Sequence, residues 1–136
     1  MIRINLPKPL STNSLFGNKR KGRVCTKRYN TWKRLAKAQI ADQRPFKLNG
    51  QVRLRLLVGE IGLRKDMDGD NCIKCLQDAL VDNGILSDDN RTIVRAVGME
   101  WVEDMEGAQA VIEPVLENNT VEISELFEVP FMGQIT

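Results

Sequence analysis

The sequence predicts an α/β (α+β) domain, a mixed β-sheet with helices packed on it. Three observations carry this. Two segments place apolar residues at helical spacing, near 28–43 and 70–81. Four segments alternate apolar and polar residues, near 1–6, 51–58, 92–102 and 108–116. The two kinds are interleaved, in the order β-loop-α-β-α-β-β, which suits a layered fold. At 136 residues the chain fits one domain.

Each element has a local reason. Met1–Leu6 alternates Ile2, Ile4 and Leu6 and stops at Pro7-Lys8-Pro9, so it reads as a short strand. Residues 10–26 read as a long polar loop holding Lys19, Arg20, Lys21 and Arg23 around Gly22. From Arg28 to Gln43, Trp32, Leu35, Ala36 and Ile40 fall on one helical face. Asn49-Gly50 is a turn, and Gln51–Val58 is a strand with Arg53 and Arg55 opposite its apolar side.

Glu60–Gly69 reads as a loop, with Asp70 as the N-cap of a second helix to about Val81. Asn83-Gly84 closes that helix and Ser87-Asp88-Asp89-Asn90 forms a polar turn. Thr92–Val102 and Ala108–Leu116 read as strands joined by the acidic turn Glu103–Gly107, which predicts a hairpin. Residues 1–116 then form the folded domain, and 117–136 an acidic tail without a pattern.

Composition narrows the chemistry. The chain has no histidine, which excludes Ser-His-Asp and Cys-His catalysis and histidine-ligated zinc or haem. The net charge of +2 conceals a polarity. Residues 1–41 carry eleven Lys/Arg and no acid, while 42–136 carry nine Lys/Arg and all eighteen acids. A basic segment of this kind suits phosphate contact, although the two halves could also neutralise each other. Three cysteines are too few for a disulfide framework, and no apolar run is long enough for a signal peptide or membrane span. Both point to the cytoplasm.

The segment Asp66-Met67-Asp68-Gly69-Asp70 sets three carboxylates at alternate positions, and Asp88-Asp89 follow eighteen and nineteen residues past Asp70. Carboxylates gathered in one pocket repel unless a cation lies among them, and oxygen-only donors favour Mg²⁺ or Mn²⁺. Whether Asp89 meets Asp68 and Asp70 depends on the return path of the chain after Gly84. Lys74 and Asp78 follow Asp70 at four-residue steps on one helical face, placing an ammonium beside the acids. The plainer alternative is an exposed ion-pair ladder with surface aspartates filling turns.

Two other patterns fail on their own residues. A calcium loop beginning at Asp66 has Asn71 where glycine is needed and Gln77 where a glutamate is needed. Cys72-Ile73-Lys74-Cys75 lacks a second ligand pair for zinc, so the thiols read as small helix-packing residues.

The segment Asp68-Gly69-Asp70-Asn71-x-x-Lys74-x-x-x-Asp78-Ala79-Leu80, then Asn83-Gly84, then Asp88-Asp89, resembles the RusA-type Holliday junction resolvases, a family common in phages and prophages. Leu6-Pro7-Lys8-Pro9 with Ser11-x-Asn13 resembles that family's opening strand and loop, and the resemblance spans about residues 2–115. Gly69 stands where the family commonly has an apolar residue. The resemblance implies a homodimeric, Mg²⁺-dependent endodeoxyribonuclease that cuts four-way DNA junctions by paired symmetric nicks in recombination and repair. It implies Asp68, Asp70 and Asp89 as metal-binding catalytic aspartates and Lys74 as the essential lysine. Lys19, Arg20, Lys21, Arg23, Lys27 and Arg28 are the DNA-binding candidates. A non-enzymatic nucleic-acid-binding module and a Mg²⁺ nuclease of forked or flap DNA are the alternatives.

Overall fold

A computed structural model describes residues 1–19 and 22–115. Strand β1 (Ile2–Leu6) buries Ile4 and Leu6 and turns Arg3 and Asn5 outward. A 3₁₀ turn at Thr12–Ser14 follows, with the Ser11 side chain accepting a hydrogen bond from the Asn13 N–H. The stretch expected to be a loop then forms two antiparallel strands, β2 (Phe16–Lys19) and β3 (Gly22–Cys25). Gly22 opens β3 at φ 108°, a backbone conformation that favours glycine. The run of charge hid this element, because neither strand buries a full apolar face.

Helix α1 (Lys27–Gln43) starts at Thr26, whose hydroxyl accepts from the Tyr29 N–H. Its inward face is Tyr29, Trp32, Ala36 and Ile40. Leu35, expected on that face, is 59 % exposed: it lies beside the buried stripe, and Tyr29 takes the inward place one turn before Trp32. Trp32 donates its indole N–H to the Lys8 carbonyl at 2.7 Å and so ties α1 to the chain leaving β1.

Strand β4 (Val52–Ile61) is the spine of the sheet, with Val52, Leu54, Leu56 and Val58 fully buried beneath the helices. On the opposite face Arg55 forms a bidentate ion pair with Glu100, and Arg53 lies 3.6 Å from Glu113. Helix α2 (Asp70–Asp82) carries the chain back to the starting end of β4. Strand β5 (Val94–Glu106) then runs parallel to β4, as a helical crossover permits. Strand β6 (Ala108–Pro114) runs antiparallel to both β4 and β1.

The sheet order is β1-β6-β4-β5. The expected hairpin of the last two strands is therefore corrected: β5 and β6 lie on opposite sides of β4. The expected acidic turn is also corrected, since strand continues to Glu106 and Gly107 alone makes the turn, at φ 81°. The chain crosses the end of β4 at Gly59, whose N–H donates to the Gly107 carbonyl at 2.8 Å. A Cβ on Gly59 would run into the Met105 carbonyl, so only glycine admits this crossing without displacement.

The two sheet edges differ. At β1, the Gln43 side-chain amide both accepts from the Asn5 N–H and donates to the Asn5 carbonyl, each at 2.7 Å, in the manner of a neighbouring strand. At β5, among the described residues, no element pairs with the outer side.

Candidate active site

The site is built where the loop after β4 enters α2. The helix begins one residue earlier than a cap at Asp70 would place it. Gly69 is the N-cap without a side-chain bond, and Asp70 is the first helical residue rather than the cap expected. Gly69 sits against β5, where an added Cβ would lie 2.8 Å from the Met99 sulfur, with Trp101 next in line. The close approach leaves Asp68 and Asp70 exposed on either side of it. Their carboxylates lie at the positive end of the helix dipole.

The N-terminal loop is fastened to the same end of α2. Thr12 donates its hydroxyl to the Asn71 carbonyl at 3.1 Å. Cys75 exchanges two bonds with Leu10: it accepts from the N–H at 3.3 Å and donates to the carbonyl at 3.5 Å. Cys72 and Cys75 are fully buried, and burial pushes their thiols up to about 11 and about 12. The pair therefore packs on the helix as expected, and one member also staples the loop. Ser11 and Asn13 consequently line one cleft with Arg64, Asp66, Asp68 and Asn71. Two parts of the sequence more than fifty residues apart meet there. Asp66 is turned aside into a bidentate, exposed pair with Arg64.

Lys74 is one turn along α2 and 47 % exposed, with its ammonium 3.3 Å from Asp78. Asp78 also accepts from the Tyr29 hydroxyl at 3.2 Å. Burial and the Asp78 charge both raise the Tyr29 pKa, so the phenol stays a donor. Asp78 thereby positions Lys74 from behind, a role the sequence did not reveal because Tyr29 lies 49 residues away.

Asp89 is at the other end. Its turn is held by Asp88, which accepts from the Asp89 N–H and the Asn90 amide. The Asn90 carbonyl accepts from Ile93 and Val94, and the Ile93 carbonyl accepts from Val52 at the start of β4. Gly69, by contrast, lies over Met99 and Trp101 of β5. Five to seven strand residues separate those levels, about 17–23 Å, and the thirteen residues of α2 span about 19 Å. One chain thus brings Asp68 and Asp70 together and sets Asp89 apart. Among the described residues no three acidic or thiol side chains form a metal-holding group. Asp68 and Asp70 suit a hard cation by donor chemistry, but one copy supplies only part of a three-carboxylate set.

Of the DNA-binding candidates, Arg23 stacks over the Phe16 ring at 4.9 Å, on the hairpin. Lys27 and Arg28 are exposed in the first turn of α1. Arg20, Lys21 and the Lys19 side chain lie outside the described residues. Among the described residues no helix is long and apolar enough to cross a membrane.

A family model described as Endodeoxyribonuclease RusA matches residues 7–113. A comparison with curated proteins finds no match.

Proposed function

The chain belongs to the RusA family of endodeoxyribonucleases, and from that premise we propose that it resolves four-way DNA junctions by paired symmetric nicks in the cytoplasm. Nucleases of this kind generally use a divalent metal; we assign Mg²⁺, with Mn²⁺ as a substitute, because the candidate donors are carboxylates and the chain has no histidine. The observation that carries the reading is the end of α2. Asp68 and Asp70 stand exposed there, Lys74 follows one turn on, and the Ser11–Asn13 loop borders the cleft.

Asp68 and Asp70 would hold the ion, which when bound would draw charge from a phosphodiester oxygen and lower the pKa of a water; Asp89, the third candidate, stands at the other end of α2 in the same chain. The residues of the chain supply the rest. A carboxylate accepts the proton of the attacking water, the group available in place of histidine. Lys74 faces the negative charge that builds on the phosphate, and Asp78 and Tyr29 limit where its ammonium can go. The leaving oxygen departs as a 3′-hydroxyl and the phosphate stays on the 5′ end, by analogy with the family.

Affinity for DNA comes from the basic N-terminal region. Lys27 and Arg28 occupy the positive end of a helix, a placement that costs helix stability and concentrates positive potential. With Arg23 and with Lys19, Arg20 and Lys21 they form a phosphate-binding set. A junction has near two-fold symmetry, so paired nicks call for two sites and hence a homodimer.

The test uses labelled four-way, forked and linear duplex DNA with Mg²⁺. Paired symmetric nicks confined to the junction are expected. Equal cutting of forks would make the protein a general branched-DNA nuclease, and no cutting a binding module. Asp70→Asn is expected to abolish cleavage and keep junction binding; wild-type cutting by that variant would refute the site.

A further inference from the structure

A second cleft adjoins the candidate active site. It has a volume of about 440 Å³ and is lined by Glu60, Leu63, Arg64, Lys65, Met67 and Trp101. Ligand pockets run from about 300 to 1,000 Å³. One wall is shared, because Arg64 and Met67 also line the cleft bordered by Asp68, Asn71, Ser11 and Asn13. A phosphodiester seated at Asp68 therefore has this second cleft beside it.

Trp101 is the residue that the catalytic reading leaves unused. In β5 it stands in register with Val58 of β4, so its ring lies on the helix side of the sheet, two positions past Met99. A Cβ on Gly69 would lie 3.9 Å from the edge of the indole, which puts the ring beside the backbone that joins Asp68 to Asp70. Trp101 is nevertheless 40 % exposed. The other tryptophan, Trp32, is 5 % exposed and gives its N–H to the Lys8 carbonyl. Trp32 is a core residue, whereas Trp101 presents a large apolar ring to solvent next to the site of cutting.

The rest of the cleft is of two kinds. Leu63 and Met67 pack on the core and form an apolar floor, while Glu60, Arg64 and Lys65 are exposed around it. An aromatic floor with polar groups of both signs at its border matches a nucleobase, which has a stackable face and an edge that donates and accepts hydrogen bonds. We propose that this cleft receives one unpaired nucleobase, stacked on Trp101, from the nucleotide beside the scissile phosphate. The inference rests on the reading of the protein as a junction nuclease, and makes Trp101 the residue that fixes where the strand is cut. Bases at a branch point have lost part of their stacking, so drawing one out costs less there than in a continuous duplex.

Tryptophan fluorescence of the full-length protein reads the contact, because Trp101 is the exposed one of two tryptophans. Four-way junctions are titrated in EDTA, and the nick position is mapped separately with Mg²⁺. Wild type is expected to bind with quenching. In a series of junctions an abasic nucleotide is stepped through the branch point of both nicked strands. At the step next to the nick, quenching should vanish and affinity should fall about 10-fold; other steps should behave as the intact junction does. Binding without quenching, quenching that no abasic step removes, or quenching removed only by a step away from the nick would each overturn the base site.

Two variants separate stacking from packing. Trp101→Leu should bind about 10-fold more weakly and nick at several positions, whereas Trp101→Phe keeps a ring and should keep both affinity and nick position. If Trp101→Leu binds and nicks as wild type does, or if Trp101→Phe is impaired as much as Trp101→Leu, stacking on this ring is refuted. Failure of the wild type to bind any junction would instead overturn the proposed function, and the base site with it.

Discussion

Replacing Gly59 by alanine should destabilise the protein far more than a single methyl group ordinarily does. Gly59 is buried where β5 passes over the end of β4. The added Cβ would overlap the Met105 carbonyl and lie 3.0 Å from the Glu106 nitrogen. Both neighbours are backbone, so no side chain can swing away. Relief requires the crossing segment to lift by roughly 1 Å, judged against a comfortable carbon separation of about 3.5 Å. That movement strains the 2.8 Å bond from Gly59 to Gly107 and the pairing of Ile61 with Glu106. Overpacking costs about 1–3 kcal/mol and the weakened buried hydrogen bond about 1 kcal/mol. The expected loss is about 3 kcal/mol, or a Tm lower by about 12 °C for a chain of this size. Gly17→Ala is the control, since its Cβ would meet nothing within 4 Å. Urea unfolding followed by tryptophan fluorescence measures both. If Gly59→Ala is no less stable than Gly17→Ala, the account of the crossing is wrong.

Three further outcomes are expected. Reversing the charges of Lys19, Arg20 and Lys21 should weaken binding to every DNA shape and reduce the slope of log K against log salt by about 2–3; an unchanged slope would remove these three residues from the interface. Gln43→Ala leaves both backbone groups of Asn5 without their 2.7 Å partners, and should cost about 1–2 kcal/mol with faster hydrogen exchange at the Asn5 amide. Cys72 and Cys75 ionise in the unfolded chain near their ordinary value of 9.0 but only at about 11 and 12 in the fold. Below pH 9 this term is constant; as pH rises from 9 toward 11 the unfolded state loses protons that the fold retains. Stability should therefore fall, by up to about 1.4 kcal/mol per pH unit for each thiol, and replacing both cysteines by alanine should flatten that part of the profile.

Periodicity was enough to locate β1, α1, β4 and α2, because each presents a complete apolar face whose spacing repeats within the element. The hairpin of β2 and β3 was not legible, since its strands bury almost nothing and so carry no alternating apolar face. The separation of β5 and β6 was illegible for another reason. Alternating strands divided by a short acidic stretch predict a hairpin, and nothing local says that β4 slides between them. Gly59 is the residue that permits it, and its reason for being glycine lies 46 residues away at Met105.

The chemistry divides in the same way. The types and spacing of Asp68, Asp70, Lys74 and Asp89, the absence of histidine and the basic N-terminal third are properties of the sequence alone. They select the class of reaction because ionisation and donor hardness belong to the residues themselves. Which of those groups face each other is decided only in the fold. A helix of thirteen residues has a fixed length, and the parallel return of β5 starts at its far end. The carboxylates that read as one cluster along the chain therefore stand at two ends of a single copy.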